Sequence, residues 1–119
     1  INVHPSLLPQ FPGLHTHQRV IEARSETHGA SVHFVTPELD AGPIISQGQI
    51  NVENTDTTAS LAAKVLKIEH RIYPLTLALI LQSRIKMCGN SVTFDNKPLN
   101  RPLSYDIPTD SLLLDIIEA

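Results

Sequence analysis

Asn2 and His4 stand two residues apart in the run Ile1-Asn2-Val3-His4-Pro5. On a strand, alternate side chains share a face, so both would point the same way. An asparagine amide donates to a developing oxyanion, and a histidine holds or releases a proton near neutral pH. Together at a strand end they can stabilise negative charge and then protonate it. The third group such chemistry needs is a carboxylate that orients the imidazole and favours its charged form. Asp40 is the candidate, in the polar run Glu38-Leu39-Asp40-Ala41-Gly42-Pro43. Gly42 beside it lets backbone approach a ligand closely. Spacing alone leaves a plainer reading open, in which Asn2 and His4 only satisfy loop backbone.

Other reactive residues fit less well. His4, His15, His17 and Asp40 offer a metal set, yet no H-E-x-x-H or closed zinc spacing accompanies them, and no metal is expected. Ser6 lacks the G-x-S-x-G surroundings of a hydrolase nucleophile. Cys88 has no histidine at a useful spacing and reads as a core residue. His28 reads as a turn residue and His33 as a half-buried strand residue. Glu69 borders the apolar side of a long helical pattern, where it is a boundary residue or faces the site.

The elements that must position these residues follow from punctuation and period. Residues 1–3 read as a strand end stopped by Pro5. Pro5, Pro9, Pro12 and Gly13 make residues 5–15 an ordered loop. Residues 16–24 read as a helix with Thr16 at its N-cap. Residues 25–29 are a turn and 30–35 a strand, with Val32 and Phe34 on one face. A polar loop at 36–43 precedes a strand at 44–52, whose Gly48 suggests a bulge. Asn54, Thr55 or Asp56 caps a long helix reaching to about Arg84. Its stripe of Leu61, Val65, Ile68, Ile72, Leu75 and Leu79 faces a core, and Pro74 should kink it. Residues 91–99 form a hairpin turning at Asp95-Asn96. A last helical turn is expected within 111–119. The alternation of strands and helices predicts an α/β sheet with helices on its faces.

The chain has 119 residues, 41% of them hydrophobic, which suits one soluble domain. A net charge of −3 without a Lys or Arg run argues against nucleic acid as a partner. The apolar run at 75–82 is too short to span a bilayer, so no membrane association is expected. One cysteine suits a reducing compartment, and no leader pattern is visible, which predicts a cytoplasmic protein. The abrupt start at Ile1 is read as the cut edge of a larger domain, and the free sheet edge it leaves makes room for a homodimer.

The run N-V-H-P-S-L-L-P-Q-F-P-G-L-H-T-H at 2–17 resembles the phosphoribosylglycinamide formyltransferase family, folate-dependent enzymes of purine synthesis. The runs H-G-A-S-V-H-F-V-T-P-E-L-D-A-G-P-I-I at 28–45 and I-E-H-R-I-Y-P-L at 68–75 resemble it again at matching spacing, so the resemblance covers residues 1–99. It implies the C-terminal part of a Rossmann-like formyltransferase domain. That part is a mixed sheet flanked by helices, with a long C-terminal helix followed by a β-hairpin. It implies transfer of a formyl group from 10-formyltetrahydrofolate, as co-substrate, to the amine of glycinamide ribonucleotide. Asn2, His4 and Asp40 match the family's catalytic trio. Thr36, Pro37, Glu38, Leu39, Asp40, Ala41 and Gly42 match the loop that holds the pterin end of the folate. Glu69 matches an acidic residue on the ribose hydroxyls, with Asn2 and Pro5 also at the substrate. The Leu8–Pro9 bond is expected to be cis.

Family members also carry an N-terminal half with a glycine-rich phosphate loop, which Gly13, Gly29, Gly42, Gly48 and Gly89 do not form. Residues 1–119 are therefore expected to be the C-terminal portion of one formyltransferase domain, with 100–119 as its tail. By itself this piece is expected to be inactive. Alternatives are methionyl-tRNA formyltransferase, formyltetrahydrofolate deformylase, or a non-catalytic association module.

Overall fold

The computed structural model describes residues 1–114. In chain order the elements are β1 (Asn2–His4), α1 (Thr16–Glu22), β2 (Thr27–His33), β3 (Ile44–Asn51), α2 (Thr58–Leu81), β4 (Ile85–Cys88), β5 (Ser91–Phe94), β6 (Lys97–Pro98), β7 (Leu103–Asp106) and β8 (Ser111–Leu113). A five-stranded sheet runs β1-β2-β3-β7-β8, and β4-β5-β6 form a second, smaller sheet. The larger sheet is mixed: β3 and β7 are parallel, and its other pairs are antiparallel. The expected α/β class with a mixed sheet and long helix is what forms. No described helix is long and apolar enough to cross a membrane.

The core lies between α2 and one face of the large sheet. Ala30, Val32, Ile45, Val65, Ile68, Ile72, Ile85, Val92 and Leu103 pack there. Burying a residue such as Ile or Val contributes about 1.5–3 kcal/mol relative to leaving it in water. Val65, Ile68 and Ile72 come from the predicted stripe, but the next buried position is Thr76, not Leu75. Its hydroxyl lies 2.6 Å from Ser46 Oγ, which makes that polar pair compatible with burial. The helix continues through Pro74.

Several boundaries differ from the sequence reading. β2 starts at Thr27 and ends at His33, so the expected turn at 25–29 yields three of its five residues to a strand. Backbone pairing with β3 from Thr27 onward overrides the polar, glycine-bearing composition. The bulge is at Val32/His33, not at Gly48. Gly48 instead answers the close approach of α2, since a Cβ there would sit 2.2 Å from Ile68 Cγ2. α1 is preceded by His15 in the left-handed region, and Thr16 is its first residue rather than its cap. The N-cap of α2 is Thr57, not Asn54, Thr55 or Asp56. Thr57 Oγ1 accepts from Ser60 N–H at 3.1 Å while Ser60 Oγ accepts from Thr57 N–H at 2.9 Å, a reciprocal box. The helix ends at Leu81, and β4 takes residues that the sequence left unassigned.

Asp95 and Asn96 turn the β5–β6 hairpin with φ of 50° and 66°, as the type I′ turn requires. Cys88 is exposed on an edge strand rather than in the core. The stretch after Asn100 supplies β7 and β8 to the large sheet. The helical turn expected from Ser111 is a strand through Leu113, and residues 115–119 lie outside the described residues.

Candidate active site

β1 delivers Asn2 to the surface and His4 to the interior. Two loops then close around the imidazole. The first, residues 5–15, contains the cis Leu8–Pro9 bond and brings the Phe11 carbonyl to 2.9 Å from His4 Nε2. The second, residues 34–43, is pinched shut where Phe34 N–H donates to Pro43 O at 3.0 Å. Gly42 permits this, since a Cβ there would lie 1.7 Å from the Phe34 oxygen. At its tip Asp40 adopts φ of 51°, a left-handed conformation that aspartate tolerates.

Asp40 Oδ2 lies 3.3 Å from His4 Nδ1, with both side chains more than nine-tenths buried. The same oxygen accepts from Gly13 N–H at 2.8 Å, which ties the two loops together. Both His4 nitrogens thus face oxygen acceptors, and the imidazole with a proton on each nitrogen donates to both.

His33, read from the sequence as a half-buried strand residue, is instead buried beside Asp40 in the lining of the candidate site. It is 3% exposed, donates from Nδ1–H to the Phe34 carbonyl, and places Nε2 3.8 Å from Asp40 Oδ1. That Nε2 is buried with no hydrogen-bond partner among the described residues. The signal lay in register, because Asn2 sits directly opposite His33 across β1 and β2. Sequence spacing alone carries no such information.

A cleft of about 210 Å³ opens beside the carboxylate, lined by Asn2, His33, Val35, Thr36, Pro37, Glu38, Leu39 and Asp40. Asn2 and Asp40, 38 positions apart in sequence, therefore share one wall. His4 is buried against Asp40, with Nε2 on the Phe11 carbonyl. On the other flank of the loop, Thr36, Pro37, Glu38 and Ala41 join Pro43 and Asn90 around a cavity of about 490 Å³. Val35 is 61% exposed and Leu39 79% exposed, so apolar side chains line the cleft.

Pro5 is half-buried directly after His4. Glu69 is also half-buried, on α2. Burial raises its carboxyl above the ordinary range, opposed by the positive charges of His70 and His4. Glu69 therefore lies within electrostatic reach of His4. The alternative metal set does not gather: His17 Nδ1 is 2.9 Å from His28 Nε2, and the described residues contain no group of three or more metal-ligating side chains.

The sequence profile of a family described as formyl transferase matches residues 1–77. Phosphoribosylglycinamide formyltransferase of Escherichia coli is 46% identical over 99 residues, covering 83% of this chain and 47% of that one. The structure of phosphoribosylglycinamide formyltransferase from Coxiella burnetii superposes with a TM-score of 0.78 at 45% identity, covering 82% of this chain and 46% of that one. A formyltetrahydrofolate deformylase from Pseudomonas syringae superposes at 0.75 with 30% identity, over 78% of this chain and 31% of that one. The chain spans about half the length of the curated bacterial relatives it matches, 47% in each of the first two.

Proposed function

The chain belongs to the formyl transferase family, and on that premise we propose that the protein carrying it transfers a formyl group from 10-formyltetrahydrofolate to the amine of glycinamide ribonucleotide. The observation that carries this reading is the buried His4–Asp40 pair, 3.3 Å apart beside a cleft that Asn2 lines. Residues 1–119 are read as the C-terminal portion of one formyltransferase domain, acting in the cytoplasm on small molecules.

The substrate amine attacks the formyl carbon, and the carbonyl oxygen takes up negative charge. Asn2 Nδ2–H and the protonated His4 donate to that oxygen. The C–N bond to the folate breaks, and the proton lost by the amine reaches the departing folate nitrogen with help from Asp40. His4 Nε2–H rests on the Phe11 carbonyl. An oxyanion is the stronger acceptor, because charge-assisted hydrogen bonds are roughly twice as strong as neutral ones. The loop from Thr36 to Gly42, with the apolar rim of Val35 and Leu39, suits the flat pterin ring. Glu69, near His4, is assigned to the ribose hydroxyls.

The test is a turnover assay on the full-length protein with both substrates. Formyl transfer to the ribonucleotide supports the reading. The likeness to a deformylase favours a second reading, in which water replaces the amine. Formate release that needs no ribonucleotide would select it.

A further inference from the structure

The loop after His4 is fastened to the sheet through the backbone of Ser6 and Leu8. Leu8 N–H donates to Ser31 Oγ at 3.0 Å, and Leu8 O accepts from Gln47 Nε2 at 2.8 Å. Ser31 Oγ donates to the Ser6 carbonyl at 2.7 Å and accepts a further bond from Gln47 Nε2 at 3.0 Å. A hydroxyl has one proton and two lone pairs, and a primary amide nitrogen has two protons. All of these are engaged, and Ser31 is fully buried, so no water competes. Register explains the assembly: His4 lies opposite Ser31, and Ser31 opposite Gln47, which sets the three on one face of β1, β2 and β3. Farther along, the same loop delivers the Phe11 carbonyl to His4 Nε2 and the Gly13 N–H to Asp40 Oδ2.

We propose that Gln47 is a positioning residue for formyl transfer: by clamping the Leu8 peptide it holds the loop whose Phe11 carbonyl and Gly13 N–H orient His4 and Asp40. This rests on the proposed function. Both Gln47 bonds go to Leu8 and Ser31 rather than to His4 or Asp40. Its effect therefore travels through the loop. Donors are what the position demands. Glutamate has the same shape but sets lone pairs against the Leu8 carbonyl, and methionine has the length without the protons.

The experiment compares Gln47→Glu and Gln47→Met with Ile45→Val in the full-length protein. Ile45→Val truncates the core on the same strand without touching the loop. The expected result is a kcat loss of roughly 10- to 100-fold for both Gln47 variants, with KM for either substrate little changed. Nitrogen-15 histidine NMR reads the same geometry without turnover. The His4 Nε2–H should be protected in the parent and Ile45→Val proteins, and exchange-broadened in both Gln47 variants. Gln47→Met introduces no buried charge, so it carries the test if Gln47→Glu does not fold. A Gln47→Met protein with parental kcat and a protected His4 proton overturns the proposal, as does an equal loss in Ile45→Val. If the parent protein transfers no formyl group, the function assignment falls, while the NMR comparison still decides whether Gln47 positions His4.

Discussion

His4 is held between two unlike oxygens, a carboxylate on Nδ1 and a neutral carbonyl on Nε2. The first orients the ring, and the second is an acceptor that a charged oxygen can outcompete. Asn2 contributes a donor at the cleft wall. Removing one oxyanion donor typically costs about 2.7–4 kcal/mol. Asn2→Ala in the full-length protein should therefore lower kcat by roughly 100- to 1000-fold, measured by steady-state turnover. A His4→Ala protein with near-parental turnover would contradict the assignment outright. Asp40→Ala removes two things at once, the partner of His4 and the acceptor of Gly13 N–H. It should weaken binding of a folate analogue as well as turnover, which calorimetry beside kinetics can read. At this scale Asn2, His4 and Asp40 were singled out in the sequence by residue type and by the family resemblance, and the structure brings His4 and Asp40 together beside the cleft that Asn2 lines. His33 was not singled out, because its relation to Asp40 exists only through strand pairing.

Among the elements, α2 and β3 show how closely backbone shape follows neighbours. Gly48 stands where Ile68 Cγ2 presses on β3. Gly48→Ala should destabilise the protein by about 1–3 kcal/mol, the usual cost of overpacking. Ile68→Leu moves the offending branch away from that position. The double variant should recover part of the loss in a denaturant titration, a non-additive outcome expected of residues in contact. At the start of α2, Thr57→Ala removes the side-chain oxygen that accepts from Ser60 N–H. It should cost about 0.5–2 kcal/mol, read from the same titrations. The sequence placed this helix correctly by its apolar period but put its cap one to three residues early. Asn54, Thr55, Asp56 and Thr57 are all competent caps, and propensity does not choose among them. Asp56 serves elsewhere, accepting from Glu53 N–H, Ser60 Oγ and Lys64 Nζ.

For the whole molecule, pH tests how α1 is fastened to the large sheet. His17 and His28 meet edge to face, with ring centroids 5.1 Å apart. Burial lowers the pKa of both, and His28 falls from 6.5 to about 4, with the charges of His17 and His4 adding to the effect. The folded state thus binds these protons less readily than the unfolded chain. This contribution to stability is complete above about pH 6.5 and is lost as pH falls toward about 4. The denaturant midpoint should decline across that window, and His28→Gln should flatten the decline. A pH-independent midpoint in the parent protein would refute it. Taken alone, the sequence determined which residues could carry chemistry, the long amphipathic helix and the Asp95-Asn96 hairpin. Each of these rests on residue type or on a period within one segment. Only the tertiary structure decided that Thr27–Gly29 belong to a strand, that 103–106 pairs in parallel with β3, and that Ser31 and Gln47 hold the loop over His4. Those outcomes depend on hydrogen bonds between residues far apart in the chain, and local composition carries no record of which partner a backbone group will meet.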